Sequence, residues 1–353
     1  MDKKKDIEGI LNIRREIIDK NGEVRLGRVE DQQIDFNYKD YKLLNFFDKN
    51  IKGIKKRFKF HHFNYYGILS ERYVLSFAVV DLGYIKNTFF YLYDYKKEEF
   101  LIQKDIKISP FSKKLVFPID PDKYEIRFRS RRDFFTIKKD IFAKTISTKF
   151  SIDNLIFEFI AKYSYKNNFP LKIVVPAGHN GWSFTEKCST INEFEKLDVK
   201  FNNQKLEFEN PSLIYDWSGG YLKRSTNWVW ANFSGLNNEN KLIGANFATM
   251  VNETYETENI YWIEKESYDE DIIRIEYDKS NNYNPWSLTN KNKTISVTFY
   301  PKDEINDNTN LIFVKNSFKQ FIGKFSGYFL DKSGNKVEFE NISGVTEIHK
   351  ALW

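Results

Sequence analysis

Cysteine occurs once in the 353 residues, at Cys188, so the chain has no internal disulfide framework and no cysteine-based metal cluster. Long apolar runs are also missing. The longest, around Tyr73–Leu82, falls far short of the ~20 residues a helix needs to cross a bilayer. The start, MDKKKDIEGILNIRREIIDK, is basic but has neither an apolar stretch of signal-peptide length nor a lipidation motif, and a cytoplasmic location is expected. No HExxH motif, glycine-rich phosphate loop or GxSxG elbow occurs, and Ser218-Gly219-Gly220 lacks the elbow's first glycine. The four histidines (His61, His62, His179 and His349) show no metal-ligand spacing. Neither a metal nor a cofactor is expected.

Aromatic residues, by contrast, reach 17%, with 33 Phe, 21 Tyr and 7 Trp. A/T-rich codons inflate Phe and Tyr together with Lys, Asn and Ile, which are all abundant here. Tryptophan escapes that bias, and all seven tryptophans lie after residue 180. Charge is equally lopsided. Residues 1–180 carry 36 Lys/Arg against 24 Asp/Glu, a net of +12; residues 181–353 carry 19 against 25, a net of −6. Opposite-signed halves point to two domains, with peripheral membrane contact expected through the basic first half. The densest basic stretches are Lys52–Lys59 and Arg127–Arg132. RFRSRRDFF (127–135) has the composition of a nucleic-acid patch, but RFR alternates as a strand does and puts its arginines on the solvent face. No nucleic-acid partner is expected.

From about residue 55 the chain reads as short runs rich in Phe, Tyr, Ile and Val, punctuated by turn residues such as Asp81–Gly83, Asn237–Asn240 and Asp331–Asn335. Helical periodicity is confined to the start, where Ile7, Ile10, Leu11, Ile17 and Ile18 predict a short amphipathic helix ended by Asp19–Gly22. The fold expected is mainly β: two antiparallel barrel or sandwich domains with a short N-terminal helix. The boundary falls at the KNNFP turn (166–170), giving a basic domain over 1–170 and a Trp-rich, acidic domain over 171–353. The outline of 61–84, an aromatic strand turning into a second strand, is echoed in 225–253.

Chemistry concentrates between Asp216 and Trp262. DWSGGYLKRSTNWVWANFSG (216–235) places Trp228 and Trp230 two apart, on one face of a strand, with Trp217 and Arg224 before them. GANFATMVNETYETENIYWIE (244–264) adds Asn246, Glu253, Glu258 and Trp262. A carboxyl beside indole and phenol rings can have a raised pKa and serve as a general acid; the alternative is a solvated turn. In GVTEIHKALW (344–353), Glu347 and His349 share a strand face and form a second acid–base candidate, the alternative being a hydrogen-bonded structural pair.

These segments carry a resemblance. NGWSFTEK (180–187), 216–235, NE…ENIYW (252–262), QFIGKFSGYFLDKSGNKV (320–337), GVTEIHKALW and FNYYGILSERYVLSFAVVDLGY (63–84) together resemble the bacterial family called domain of unknown function 2804. The chain departs from the family pattern at Ser218-Gly219 and at Ile348, where an Asp is frequent. The resemblance implies lipocalin-like β domains, at a distance similar to carotenoid hydratases and tocopherol cyclases. The leading expectation is an intracellular binding protein for a hydrophobic or amphipathic, lipid- or isoprenoid-like ligand in an aromatic cavity inside one or both β domains. Trp217, Arg224, Trp228, Trp230, Asn246 and Trp262 would line it. The alternatives are a cofactor-free hydratase, cyclase or isomerase using Glu253, Glu258 or His349 as the acid, and carbohydrate binding or hydrolysis.

Overall fold

The computed structural model describes residues 14–29, 33–250, 256–310 and 315–352. Its layers follow from how each strand's faces alternate. In Lys123–Arg129 and Phe134–Asp140 every second residue is buried, so these strands cover a core with one face and meet water with the other. Arg127 and Arg129 are on the wet face. Phe60–Leu69 and Tyr73–Asp81 are buried almost throughout, which requires a layer on each side.

Accordingly, a seven-stranded antiparallel sheet (strands within 115–162 and 194–206, outer layer) packs on an eight-stranded sheet, and a nine-stranded sheet covers the other face of the latter. Phe77, Phe135, Phe150, Phe157, Phe184 and Trp217 fill the sandwich between the first two. The nine-stranded sheet is a nearly closed barrel whose end strands, Glu266–Glu270 and Ile273–Glu276, follow each other in the chain. Its interior is packed with Phe233, Phe299, Phe321, Phe325, Phe329 and Trp286, so the expected cavity inside this barrel is replaced by a side-chain core.

The chain changes sheets more than once: from the seven-stranded to the eight-stranded sheet between Lys162 and Leu171, and to the nine-stranded sheet between Tyr221 and Ser225. Leu171–Pro176, Trp182–Ile191 and Ser212–Tyr221 complete the eight-stranded sheet, the last by pairing with Phe60–Leu69. The KNNFP turn leads from the seven-stranded sheet into the eight-stranded one. The described part of the expected N-terminal helix is extended: Arg15–Glu16 pairs with Ile34–Asp35, and Ile18 bridges Val24. Ile17 and Ile18 are both buried in the sandwich core, and that tertiary gain overrides a weak helical spacing. Ile7, Ile10 and Leu11 lie outside the described residues. Among the described residues no helix is long and apolar enough to cross a membrane.

The sandwich core also holds charge. Lys139 and Glu186, both fully buried, are ion-paired and surrounded by the phenols of Tyr163, Tyr165 and Tyr215. On the same side His62 stacks on Phe117 with ring centroids 3.9 Å apart, and burial pushes its imidazole down to about 3. An unfolded histidine takes a proton below its ordinary value near 6.5, whereas this one stays neutral until about 3. Stability is therefore lost as pH falls through that window. At about pH 5 the loss from His62 amounts to about 2 kcal/mol. In His62→Phe the drop in urea-unfolding free energy between about pH 7 and about pH 5 is expected to shrink by that amount. An unchanged drop would refute the assignment.

Candidate functional site

The site forms where two outer sheet faces meet. Strand alternation sends His62, Tyr66, Tyr215 and Trp217 into the sandwich, leaving Phe63, Tyr65, Asp216 and Ser218 on the opposite face. On the barrel, alternation sends Val229, Phe233 and Ile348 inward and Trp228, Trp230, Glu347 and His349 outward. Gly244 permits the close approach, since a Cβ there would lie 2.8 Å from the Thr190 side chain and 2.9 Å from the Ser189 carbonyl oxygen. Ser189 Oγ donates to Asn232 Oδ1 (2.9 Å), Tyr95 OH to the Gly323 carbonyl (2.7 Å) and Tyr91 OH to Gln320 Oε1 (2.7 Å). Between these ties lies a cavity of about 580 Å³, walled by Phe63, Tyr65, Ala78, Phe89, Trp228, Trp230, Ala248 and Phe318.

Among the polar side chains of the lining, which include His61, Asp105, Lys107 and Asp307, two groups stand beside the tryptophans. Lys187 Nζ bridges Asp216 Oδ2 (3.0 Å) and Glu258 Oε2 (2.9 Å), with all three side chains largely buried, and it lies 5.8 Å from the Trp230 ring centroid. Burial opposes its charge, but the two carboxylates outweigh burial and hold Lys187 above its ordinary value. Ser218 Oγ donates to Asp216 Oδ1 (2.8 Å) and meets Thr185 Oγ1 (2.7 Å). In the second group, Glu347 accepts from Trp228 Nε1 (2.7 Å) and Gln320 Nε2 (3.2 Å), and lies 3.5 Å from His349 Nδ1. His349 Nε2 is 2.6 Å from Asn316 Oδ1, and its ring packs on Trp228 at 4.1 Å between centroids.

Of the residues expected from sequence, the cavity brings together Trp228, Trp230, Glu258 and His349. Asn246 stands behind them, accepting from Trp230 Nε1 (2.7 Å) and donating to the Glu258 carbonyl (2.7 Å). Three others lie elsewhere. Trp217 belongs to the sandwich core, on the far face of the strand that carries Asp216. Trp262 packs with Leu171, Ile173 and Val175 and donates to the Phe169 carbonyl (2.9 Å), away from the cavity. Arg224 is exposed in the connection between the two units. Glu253 lies outside the described residues. Cys188 is buried, its thiol pushed up to about 12 by burial, and is no nucleophile. Sequence reasoning missed Lys187 and Asp216. The signal for Lys187 is a charge inside a strand that does not alternate, WSFTEKCSTI, which is buried at every position. Among the described residues no group of three or more His, Cys, Asp or Glu side chains is arranged to hold a metal ion.

The profile of the family described as "Domain of unknown function (DUF2804)" matches residues 14–353. The chain belongs to the DUF2804 family. None of the curated proteins matches it. Among solved structures, this DUF2804 chain is similar to kievitone hydratase from Nectria haematococca, at 11% identity and a TM-score of 0.49 over 81% of this chain and 88% of that one. It is also similar to a candidate AttH from Nitrosomonas europaea, at 8% identity and a TM-score of 0.44 over 91% and 97%. The departure at Ile348 has a structural consequence in this DUF2804 member. Ile348 packs into the barrel core, so Glu347 is the carboxylate that accompanies His349.

Proposed function

We propose that this DUF2804 protein binds a hydrophobic or amphipathic small molecule, of lipid- or isoprenoid-like chemistry, in the cavity between the eight-stranded sheet and the barrel. The observation that carries this reading is the cavity itself. Its ~580 Å³ lies within the usual range for small-molecule sites, and aromatic walls with a few convergent polar groups are what an apolar ligand with one polar end requires. Paired-carboxylate cleavage of a glycoside is disfavoured, because Asp216 and Glu258 are both engaged by Lys187 and neither is placed as a proton donor.

One observation favours a second reading, proton transfer to an alkene-like substrate. His349, backed by Glu347 and stacked on Trp228, is an acid–base group of this cavity set against an indole face. Trp228 and Trp230 would offer π faces to a developing cation. Native mass spectrometry of protein purified from its own host tests the binding reading. A co-purified apolar molecule is expected, and it should be lost in Ala248→Trp, which fills the cavity from the barrel side. Ligand-free protein that also takes up nothing from a host lipid extract would overturn it.

A further inference from the structure

The basic stretch around Lys52–Lys59 lies beside an apolar feature that the cavity does not use. Leu44 bridges Asn50, and the hairpin tip between them carries Phe46 and Phe47, 92% and 75% exposed. Hydrogen bonds shape the tip: Asn45 Oδ1 accepts from the backbone N–H of Phe47 (2.9 Å) and of Lys49 (3.0 Å). The two rings pack edge-on against each other, with centroids 5.3 Å apart. Behind the tip runs a groove of about 430 Å³ lined by Lys20, Lys39, Lys42 and Lys52. Lys56 braces it by donating to the Lys39 carbonyl (2.6 Å) and the Tyr41 carbonyl. Residues 39–59 contain eight Lys/Arg and two Asp, so the surface around the tip is strongly cationic.

We propose that this hairpin and groove dock the protein onto an anionic lipid bilayer, Phe46 and Phe47 entering the interface while the lysines meet headgroup phosphates. Two adjacent phenylalanines held in water at a hairpin tip gain by leaving it, and the ammonium groups around them select a negatively charged apolar surface. A second copy of this chain would bring the same cationic ring against itself, so charge favours lipid over self-association. The segment also abuts the cavity. Gly83 sits against the backbone of Arg57 and Phe58 (a Cβ there would lie 2.8 Å from Phe58 Cα), and its neighbours Leu82 and Tyr84 line the cavity. That adjacency fits a ligand exchanged with lipid and rests on the reading above; the docking itself does not.

Co-sedimentation of the full chain with phosphatidylcholine vesicles containing about one-third phosphatidylserine tests the idea. Binding is expected to weaken with salt and to be absent with phosphatidylcholine alone. Phe46→Ser/Phe47→Ser should lower the partition coefficient at least ~10-fold. Lys42→Gln and Lys52→Gln should each lower it by about fivefold. These side chains are exposed, so unchanged thermal unfolding is the control for folding. Ala248→Trp, which blocks the cavity, should leave docking intact, which separates failure of docking from failure of the ligand reading. Equal binding to neutral vesicles, or full binding by the double phenylalanine variant, overturns the proposal. So does a Phe46-dependent dimer in sedimentation velocity without vesicle binding.

Discussion

Lys139→Met is expected to lower the unfolding free energy by about 3–5 kcal/mol, because it leaves a buried carboxylate without its counter-charge. Lys139 and Glu186 are each 0% exposed, at the centre of the sandwich. The Lys139 ammonium also donates to the Pro121 carbonyl (2.6 Å) and lies about 5 Å from the ring centroids of Tyr163 (5.1 Å) and Tyr215 (5.0 Å). Glu186 accepts from Tyr163, and Tyr165, whose hydroxyl lies 3.4 Å from Glu186, donates to Asp122 (2.6 Å). Asp122 holds the backbone N–H of Ile34 (2.8 Å), so the network ties the N-terminal strands to the sandwich. With the lysine gone, only phenols remain for Glu186, and a domain of ordinary stability (about 5–15 kcal/mol) would lose a large share of it. Removing both charges with Lys139→Met/Glu186→Gln should recover much of the loss, since the cost comes from the stranded ion. Urea titration followed by tryptophan fluorescence measures all three proteins. A single-variant loss below about 1 kcal/mol would sink the account.

The second large effect is expected at Lys187→Met, where two carboxylates, Asp216 and Glu258, would face each other across the cavity wall without their shared ammonium. A loss of about 3–5 kcal/mol at neutral pH is expected, together with loss of ligand uptake. In the parent protein Lys187 is held above its ordinary value, burial being outweighed by the two carboxylates. A folded-state value raised above the unfolded one means that this stabilisation is complete below the ordinary lysine value of 10.5 and disappears only as pH rises through the folded value. Removing the stranded charges as well, in Lys187→Met/Asp216→Asn/Glu258→Gln, should recover much of the loss. Urea titrations of the parent and both variants at about pH 7 check this. A deficit that the triple variant keeps in full would mean that lost packing, not charge, is responsible.

Parts of the site were legible in the sequence because strand geometry is local. Two residues apart on a strand means one face, so Trp228 with Trp230 and Glu347 with His349 could each be placed together from spacing alone. The same rule separates Trp217 from Asp216, but nothing in the sequence says which face looks into a cavity and which into a core. Lys187 and Asp216 come from two different strands and Glu258 from the residue just before a third, and no spacing announces their meeting. Trp262 looked like a site residue because it follows Glu258 closely, yet on its own strand it points to the cluster around Leu171.

The amino-acid sequence by itself determined that this chain is mainly β, which of its outer strands are wetted on one side, and which family it belongs to. Those follow from alternation and from motifs along a single stretch of chain, where each residue's neighbours are its sequence neighbours. Tertiary structure decided the rest. Only the packing of the barrel on the eight-stranded sheet set the cavity between two sheets and joined an acid–base pair to a lysine trio. The physical reason is that a sheet has two faces of equal local pattern, and what covers each is set by contacts far away in sequence.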